Sequence, residues 1–230
     1  MSHTKFKRQA VSDAAYHNIK QKIIDLDYKP DQPLSEEMLT GEMNISRTPL
    51  RQALHRLELE GLINRRANGR IAVASVTIEE AEEVFKVREV LEGLIAKEAA
   101  QHISSEQIEK LEEVLVVMER AAEKGKNISL IRHGSEFHHI LYTAGRNETA
   151  LRFLEQLNTR IERYRRLGGY LNPQYVPMLP VQEHREIYNC IREHHLEEAE
   201  KAMRAHIRRS LALTKKTLRN YFHPNGAKED

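Results

Sequence analysis

Apolar residues recur at helical spacing through most of this chain, and the departures from that rhythm fall in its first third. Ile19, Ile23 and Leu26 line one face of a segment predicted to begin at about Asp13 behind a Ser12 cap. Tyr28-Lys29-Pro30-Asp31-Gln32-Pro33 breaks it. A second helix is predicted from Ser35 to about Met43, burying Met38 and Leu39, before Asn44-Ile45 turns the chain into a third. There Ser46 is the expected N-cap and Pro49 occupies the first turn, where its missing N–H costs little. Leu50, Ala53, Leu54 and Leu57 mark the inward face. After Gly61 the period changes. Leu62-Ile63 and Ile71-Ala72-Val73-Ala74 flank the polar tip Ala67-Asn68-Gly69-Arg70, which predicts a β-hairpin.

From Thr77 the helical period returns and holds. Thr77 with Glu80, and Ser104 with Gln107, have the spacing of capping boxes and place helix starts near Ile78 and Ser105. Helices are predicted over 78–101, 105–124, 129–144, 147–167, 178–195 and 197–221, with breaks at Gly125, at Gly145-Arg146-Asn147 and from Gly168 to Pro177. The expected fold is mainly α: a winged helix-turn-helix over 1–75, an all-α antiparallel bundle of about six helices over 76–222, and a disordered tail over 223–230.

Composition changes this picture little, but charge distribution changes it more. The formal charge is only +2. Yet residues 44–75 hold six arginines (Arg47, Arg51, Arg56, Arg65, Arg66 and Arg70) against Glu58 and Glu60, the footprint of a nucleic-acid contact. No apolar run approaches the ~18 residues that span a bilayer, and Met1 to Gln9 is polar, so a cytoplasmic protein without a membrane partner is expected. Cys190 is the single cysteine; its spacing from Ile187 and Ile191 suits packing better than reactivity.

Arg47 and Arg51 stand one turn apart near the start of the third helix, where side chains reach into a major groove. Arginine pairs well with guanine O6 and N7, while Thr48 suits a phosphate or a thymine methyl. Arg65, Arg66 and Arg70 around the hairpin suit backbone phosphates. Farther along, His138, His184 and His206 lie on three different predicted helices, and neutral imidazole is a ligand for zinc and other first-row metals. The alternative is a metal-free polar pocket. Arg88 lies beside the stripe Val84, Val87, Leu91, Leu94 and Ile95, expected to be buried, so it needs an anion: Glu92, or an acidic ligand. Arg160, Arg163 and Arg165 offer further cations.

These residues carry a resemblance. Pro30-x-x-Pro33-Leu34-Ser35-Glu36, Ser46-Arg47-Thr48-Pro49-Leu50-Arg51-Gln52-Ala53-Leu54, Leu57, Glu60-Gly61-Leu62 and Gly69 resemble the winged helix-turn-helix of GntR-family bacterial transcription regulators. Arg88-x-x-Leu91-Glu92, Phe137-His138, Glu183-His184-Arg185-x-Ile187 and Ala205-His206-Ile207 resemble the effector-binding and dimerisation domain (FCD type) of its FadR subfamily. The resemblance implies a homodimer on a near-palindromic double-stranded operator, acting as a repressor of a metabolic operon and responding to a small carboxylate effector. Its DNA-facing set would be Ser46, Arg47, Thr48, Arg51, Arg65, Arg66, Gly69 and Arg70; Arg88 and Arg163 would meet the effector. Glu37 stands where some members carry a basic residue. His138, His184 and His206 would hold a divalent metal, Zn2+ or another first-row ion, although Gly134 replaces the usual Asp or Asn ligand one turn before His138. Two other functions stay open at this point. One is a metal-dependent enzyme built on the three histidines, which lacks an HExxH pattern or an evident general base; the other is a constitutive DNA binder.

Overall fold

In the computed structural model, which describes residues 2–66, 69–170 and 175–222, the first helix α1 is Ser2–Ile24. It begins well before Asp13. Ser12 is therefore no cap but a buried residue inside the helix, and Leu26 lies beyond its end in a left-handed conformation, half-buried. Ile19 and Ile23 are fully inward, as their spacing requires.

Strand β1 (Pro33–Leu34) precedes α2 (Glu36–Met43), which the Ser35 side chain caps by accepting from the Met38 N–H. Leu39 is buried. Met38, expected beside it, is exposed, because one face of so short a helix meets the core. Asn44 ends α2 at φ 51°, a left-handed position that asparagine tolerates, and turns the chain into α3 (Arg47–Leu59). Ser46 stands at the N-cap but its side chain makes no capping bond. Pro49, Leu50, Ala53, Leu54 and Leu57 all face inward.

Strands β2 (Ile63–Arg65) and β3 (Ile71–Val73) form the wing, paired antiparallel with Ile63 opposite Val73 and Arg65 opposite Ile71. The sequence pattern did not show that β1 pairs with the other side of β3, giving the order β1-β3-β2. Pro33 is tolerated because β1 is an edge strand. Gly69, at φ +78°, donates its N–H to the Arg66 carbonyl at 2.8 Å, a turn that needs glycine's freedom. Ala67 and Asn68 of the predicted tip lie outside the described residues. One core, from Tyr16 through Leu39, Leu54 and Leu62 to Val73, unites these elements, and this first unit is Met1–Val76.

The second unit, Thr77–Asp230, holds α4 (Ile78–His102), α5 (Ser105–Glu123), α6 (Asn127–Ala144), α7 (Glu148–Tyr170), α8 (Met178–Arg192) and α9 (Leu196–Phe222). The tail predicted over 223–230 lies outside the described residues. Ser104 and Gln107 make a complete capping box. Thr77 makes only its half: its side chain accepts from the Glu80 N–H, while the Glu80 carboxylate instead accepts from the Tyr164 hydroxyl. Asn147 caps α7 through the Ala150 N–H. Helix α4 is central, packing against α6, α7, α8 and α9. Its buried stripe differs from the expected one. Val84, Phe85, Arg88, Glu92 and Ile95 are inside, whereas Val87, Val90 and Leu94 are exposed along one face and Leu91 is half-buried.

Truncating the fully buried Leu54 to alanine is expected to cost the first unit about 2–5 kcal/mol. Urea denaturation followed by circular dichroism checks this, and a loss under about 1 kcal/mol would show that the α3 core can collapse around the gap.

Candidate functional site

Two groups of residues stand out, one in each unit. In the first, Ser46, Arg47, Thr48 and Arg51 are all exposed, presented outward because the opposite face of α3 is anchored in the core. Arg51 is also positioned. Its Nε donates to both oxygens of Glu36 on α2, at 3.1 and 3.0 Å, a contact that sequence spacing did not show. On the wing, Arg65, Arg66, Gly69 and Arg70 are exposed, and Arg65 Nε lies 3.6 Å from Glu58. Glu37 is exposed on α2.

In the second unit the three histidines come together. His138 on α6, His184 on α8 and His206 on α9 are buried, with ring centroids 4.5–5.3 Å apart and a ligand atom from each within 4.8 Å of the others. Each ring is held by its Nδ1. His138 Nδ1 donates to Glu92, His206 Nδ1 donates to Glu183 at 2.5 Å, and His184 Nδ1 donates to the Pro180 carbonyl at 2.6 Å. A carbonyl only accepts, so the His184 proton sits on Nδ1 and its Nε2 presents a lone pair. That Nε2 is buried and has no hydrogen-bond partner among the described residues.

The electrostatics agree with this geometry. Burial pushes the His138 pKa down to about 3, against the pull of Glu92. Burial also lowers His184, reinforced by the two neighbouring histidines, and lowers His206 against the pull of Glu183. All three rings are therefore neutral, the form that binds metal, and each is oriented by an acceptor behind it, as in carboxylate–histidine–metal arrangements. The donor set fits a divalent first-row ion. Gly134, one turn before His138, adds no ligand atom, and a Cβ built there would lie 3.8 Å from His184 Nε2.

Arg88 is fully buried and donates from Nε to Glu92 at 2.5 Å, so its anion is Glu92. Nη1 and Nη2 of Arg88 have no hydrogen-bond partner among the described residues. Burial alone would raise the Glu92 carboxyl, but Arg88 and His138 hold it well below the usual range. Arg163 is buried but does not line the cavity beside the histidines; Arg165 does. Arg165 Nη1 donates to Ser135 Oγ and to Glu162, both at 2.9 Å, and its buried Nη2, 3.9 Å from Glu92, has no hydrogen bond among the described residues. Arg160 lies 3.7 Å from Glu80, away from this cavity. The cavity measures about 150 Å3 and is lined by all three histidines, Gly134 and Arg165 together with apolar side chains. His139 and His195 are exposed, while His194 bonds the Ala100 carbonyl. Cys190 is half-buried, and burial raises its thiol pKa.

Sequence spacing missed Glu183 as part of the site, and offered Arg165 only as one of three further cations with Arg160 and Arg163. Glu183 adjoins His184 in the chain but serves His206, 23 residues away, so nothing local linked them.

Comparison with known proteins agrees with both halves. Residues 11–73 match the gntR family of bacterial regulatory proteins and residues 83–209 match the FCD domain. The chain is 27% identical over 192 residues to the HTH-type transcriptional regulator YdhC of Bacillus subtilis, covering 83% of this chain and 85% of YdhC. It is 24% identical over 200 residues to the HTH-type transcriptional repressor RspR of Escherichia coli, covering 86% of each. Among solved structures, E. coli McbR/YncC superposes with a TM-score of 0.77 at 19% identity, over 90% of this chain and 98% of that one. A putative GntR regulator from Rhodococcus sp. RHA1 gives 0.73 at 16% identity, over 88% and 96%.

Replacing Glu92 with glutamine removes the charge that compensates buried Arg88 while keeping the shape. The expected loss is about 3–5 kcal/mol of stability in the second unit. Thermal unfolding of the full chain checks it, and an unchanged transition would mean that Arg88 finds another anion.

Proposed function

The chain belongs to the gntR family of bacterial regulatory proteins and carries its FCD domain, and from that premise we propose that it is a transcriptional regulator whose operator affinity responds to a metal-assisted carboxylate site in the helical unit. DNA binding and transcription regulation come with the family. The proposal concerns which residues do this and what they answer to.

On the DNA side, Arg47 and Arg51 read base edges, Thr48 contacts a phosphate or a thymine methyl, and Ser46 and the wing residues Arg65, Arg66, Gly69 and Arg70 follow the backbone. The outward presentation of α3 supports this assignment. Repression is the mode we assign, by likeness to RspR. The working form is a homodimer. Val87, Val90 and Leu94 support it, because three apolar side chains exposed on one face of α4 are costly unless covered, and twofold symmetry suits a near-palindromic operator.

On the effector side, the carrying observation is the unpartnered Nε2 of His184 inside a cluster whose three Nδ1 atoms are already bonded. His138, His184 and His206 would hold a divalent ion, which supplies positive charge and an open position for an anionic ligand. Around the rings Arg88 pairs with Glu92, Arg165 with Glu162, and the exposed Arg209 with Glu183. A divalent ion would add two positive charges beside these pairs and so favour an anionic group such as a carboxylate. Coupling of about 1–3 kcal/mol between that site and the DNA face would change operator occupancy ~5–150-fold.

Adding Zn2+ to metal-free protein is expected to raise its unfolding temperature, and His184→Ala should remove most of that rise. An equal rise in the variant would discard His184 as a ligand. Fluorescence anisotropy on the protein's own upstream DNA tests the other half. Arg51→Ala is expected to lose about 1–3 kcal/mol of discrimination between operator and scrambled DNA. Arg66→Ala should instead reduce the salt slope by about 0.9 with discrimination intact. The absence of any sequence-selective binding by the wild type would overturn the operator assignment.

A further inference from the structure

The cavity beside the histidines has a mixed lining. It holds the three rings and Arg165, whose Nη2 has no hydrogen bond among the described residues, together with Met118, Leu130, Ile131, Leu179 and Leu213. Gly134 lines it too. A Cβ at this position would sit 3.7 Å from Met118 Cε and 3.8 Å from His184 Nε2, ordinary contact distances. The chain thus leaves room directly beside His184 Nε2 that any side chain at position 134 would begin to fill.

We propose that the ligand of this cavity is a monocarboxylate with an apolar tail, its carboxylate seated in the space left at Gly134 and its tail against Met118, Leu130, Leu179 and Leu213. This rests on the carboxylate site proposed above and narrows it. The lining favours one carboxylate over two. Of its two arginines, Arg165 has a buried Nη2 without a hydrogen bond among the described residues, whereas Arg209 is exposed and pairs through Nε with Glu183. A second carboxylate would also meet Glu183, whose own charge lines the wall. Of the lining hydroxyls, Ser135 bonds Ile131, Glu162 and Arg165 and Thr214 donates to the Ser210 carbonyl, which leaves Tyr175 and Ser210 as the few polar partners in a wall that is mostly apolar. A polyhydroxylated acid would be stripped of water against Leu and Met side chains, which costs free energy for each unpaired group. Size sets the last limit. A cavity of about 150 Å3 is on the scale that accepts benzene, or roughly six to eight non-hydrogen atoms.

The test is isothermal titration of the full-length, Zn2+-loaded protein with hexanoate, succinate and gluconate. Hexanoate is expected to bind at least roughly tenfold more tightly than either polar acid. Succinate or gluconate binding as tightly as hexanoate would overturn the inference while leaving the broader carboxylate site standing. Binding of none of the three would overturn both. Gly134→Asp places a carboxylate of the chain's own in the same space. It is expected to keep Zn2+, read by native mass spectrometry, and to weaken hexanoate at least roughly tenfold. Gly134→Ala, whose Cβ meets only ordinary contacts, guards against misfolding and is expected to weaken hexanoate to a smaller degree. Hexanoate affinity unchanged in a folded Gly134 variant would overturn the placement of the carboxylate.

Discussion

A buried carboxylate organises the helical unit. Glu92 on α4 is fully enclosed, accepts from Arg88 one turn earlier on the same helix and from His138 on α6, and lies 3.9 Å from Arg165 on α7. An isolated ion in such a place would neutralise itself or push its helix outward. It stays ionised because Arg88 and His138 meet it directly, and with Arg165 nearby the group links α4, α6 and α7. The same contact sets the His138 tautomer, so one interaction both fixes the packing and orients the ring.

The arrangement repeats in altered form around the other two rings. Glu183 serves His206 and Arg209, and the Pro180 carbonyl serves His184. Burial keeps the rings neutral, and the acceptors behind them keep them oriented. A cluster held this way needs little rearrangement to take an ion, so more of the binding energy is left for selectivity among ligands. The winged unit follows a different rule. Its core is apolar, its charged groups are outside, and the exposed face of α3 is defined by what the core leaves uncovered. Even there, the Glu36 carboxylate steadies Arg51, which restricts a long exposed side chain.

Much of the fold was legible in the residues because helix and hairpin signals are local. Caps such as Ser35 and Ser104, the Asn44 turn and the β-branched runs around Gly69 act within a few positions, and the structure follows them. Two of the misplaced residues of α4 have a tertiary cause. The Arg88–Glu92 pair, one of the expected alternatives, took the inward face while Val87 and Leu94 stayed outside, because two mutually compensating charges pack as well as two hydrophobes. Met38 was misplaced by the same kind of tertiary choice, since a two-turn helix buries only what its neighbours reach.

The amino-acid sequence by itself determined a winged helix-turn-helix followed by a helical unit, an arginine-bearing recognition helix, and three histidines on three helices, because periodicity, capping and charge clustering are written in neighbouring residues. Only the tertiary structure decided that those histidines converge, that Glu92 and Glu183 orient two of them, that Arg165 rather than Arg163 reaches the cavity, and that Gly134 opens onto His184. Each of these is a contact between elements tens of residues apart. It depends on the angle at which helices pack, and no spacing along the chain encodes that angle.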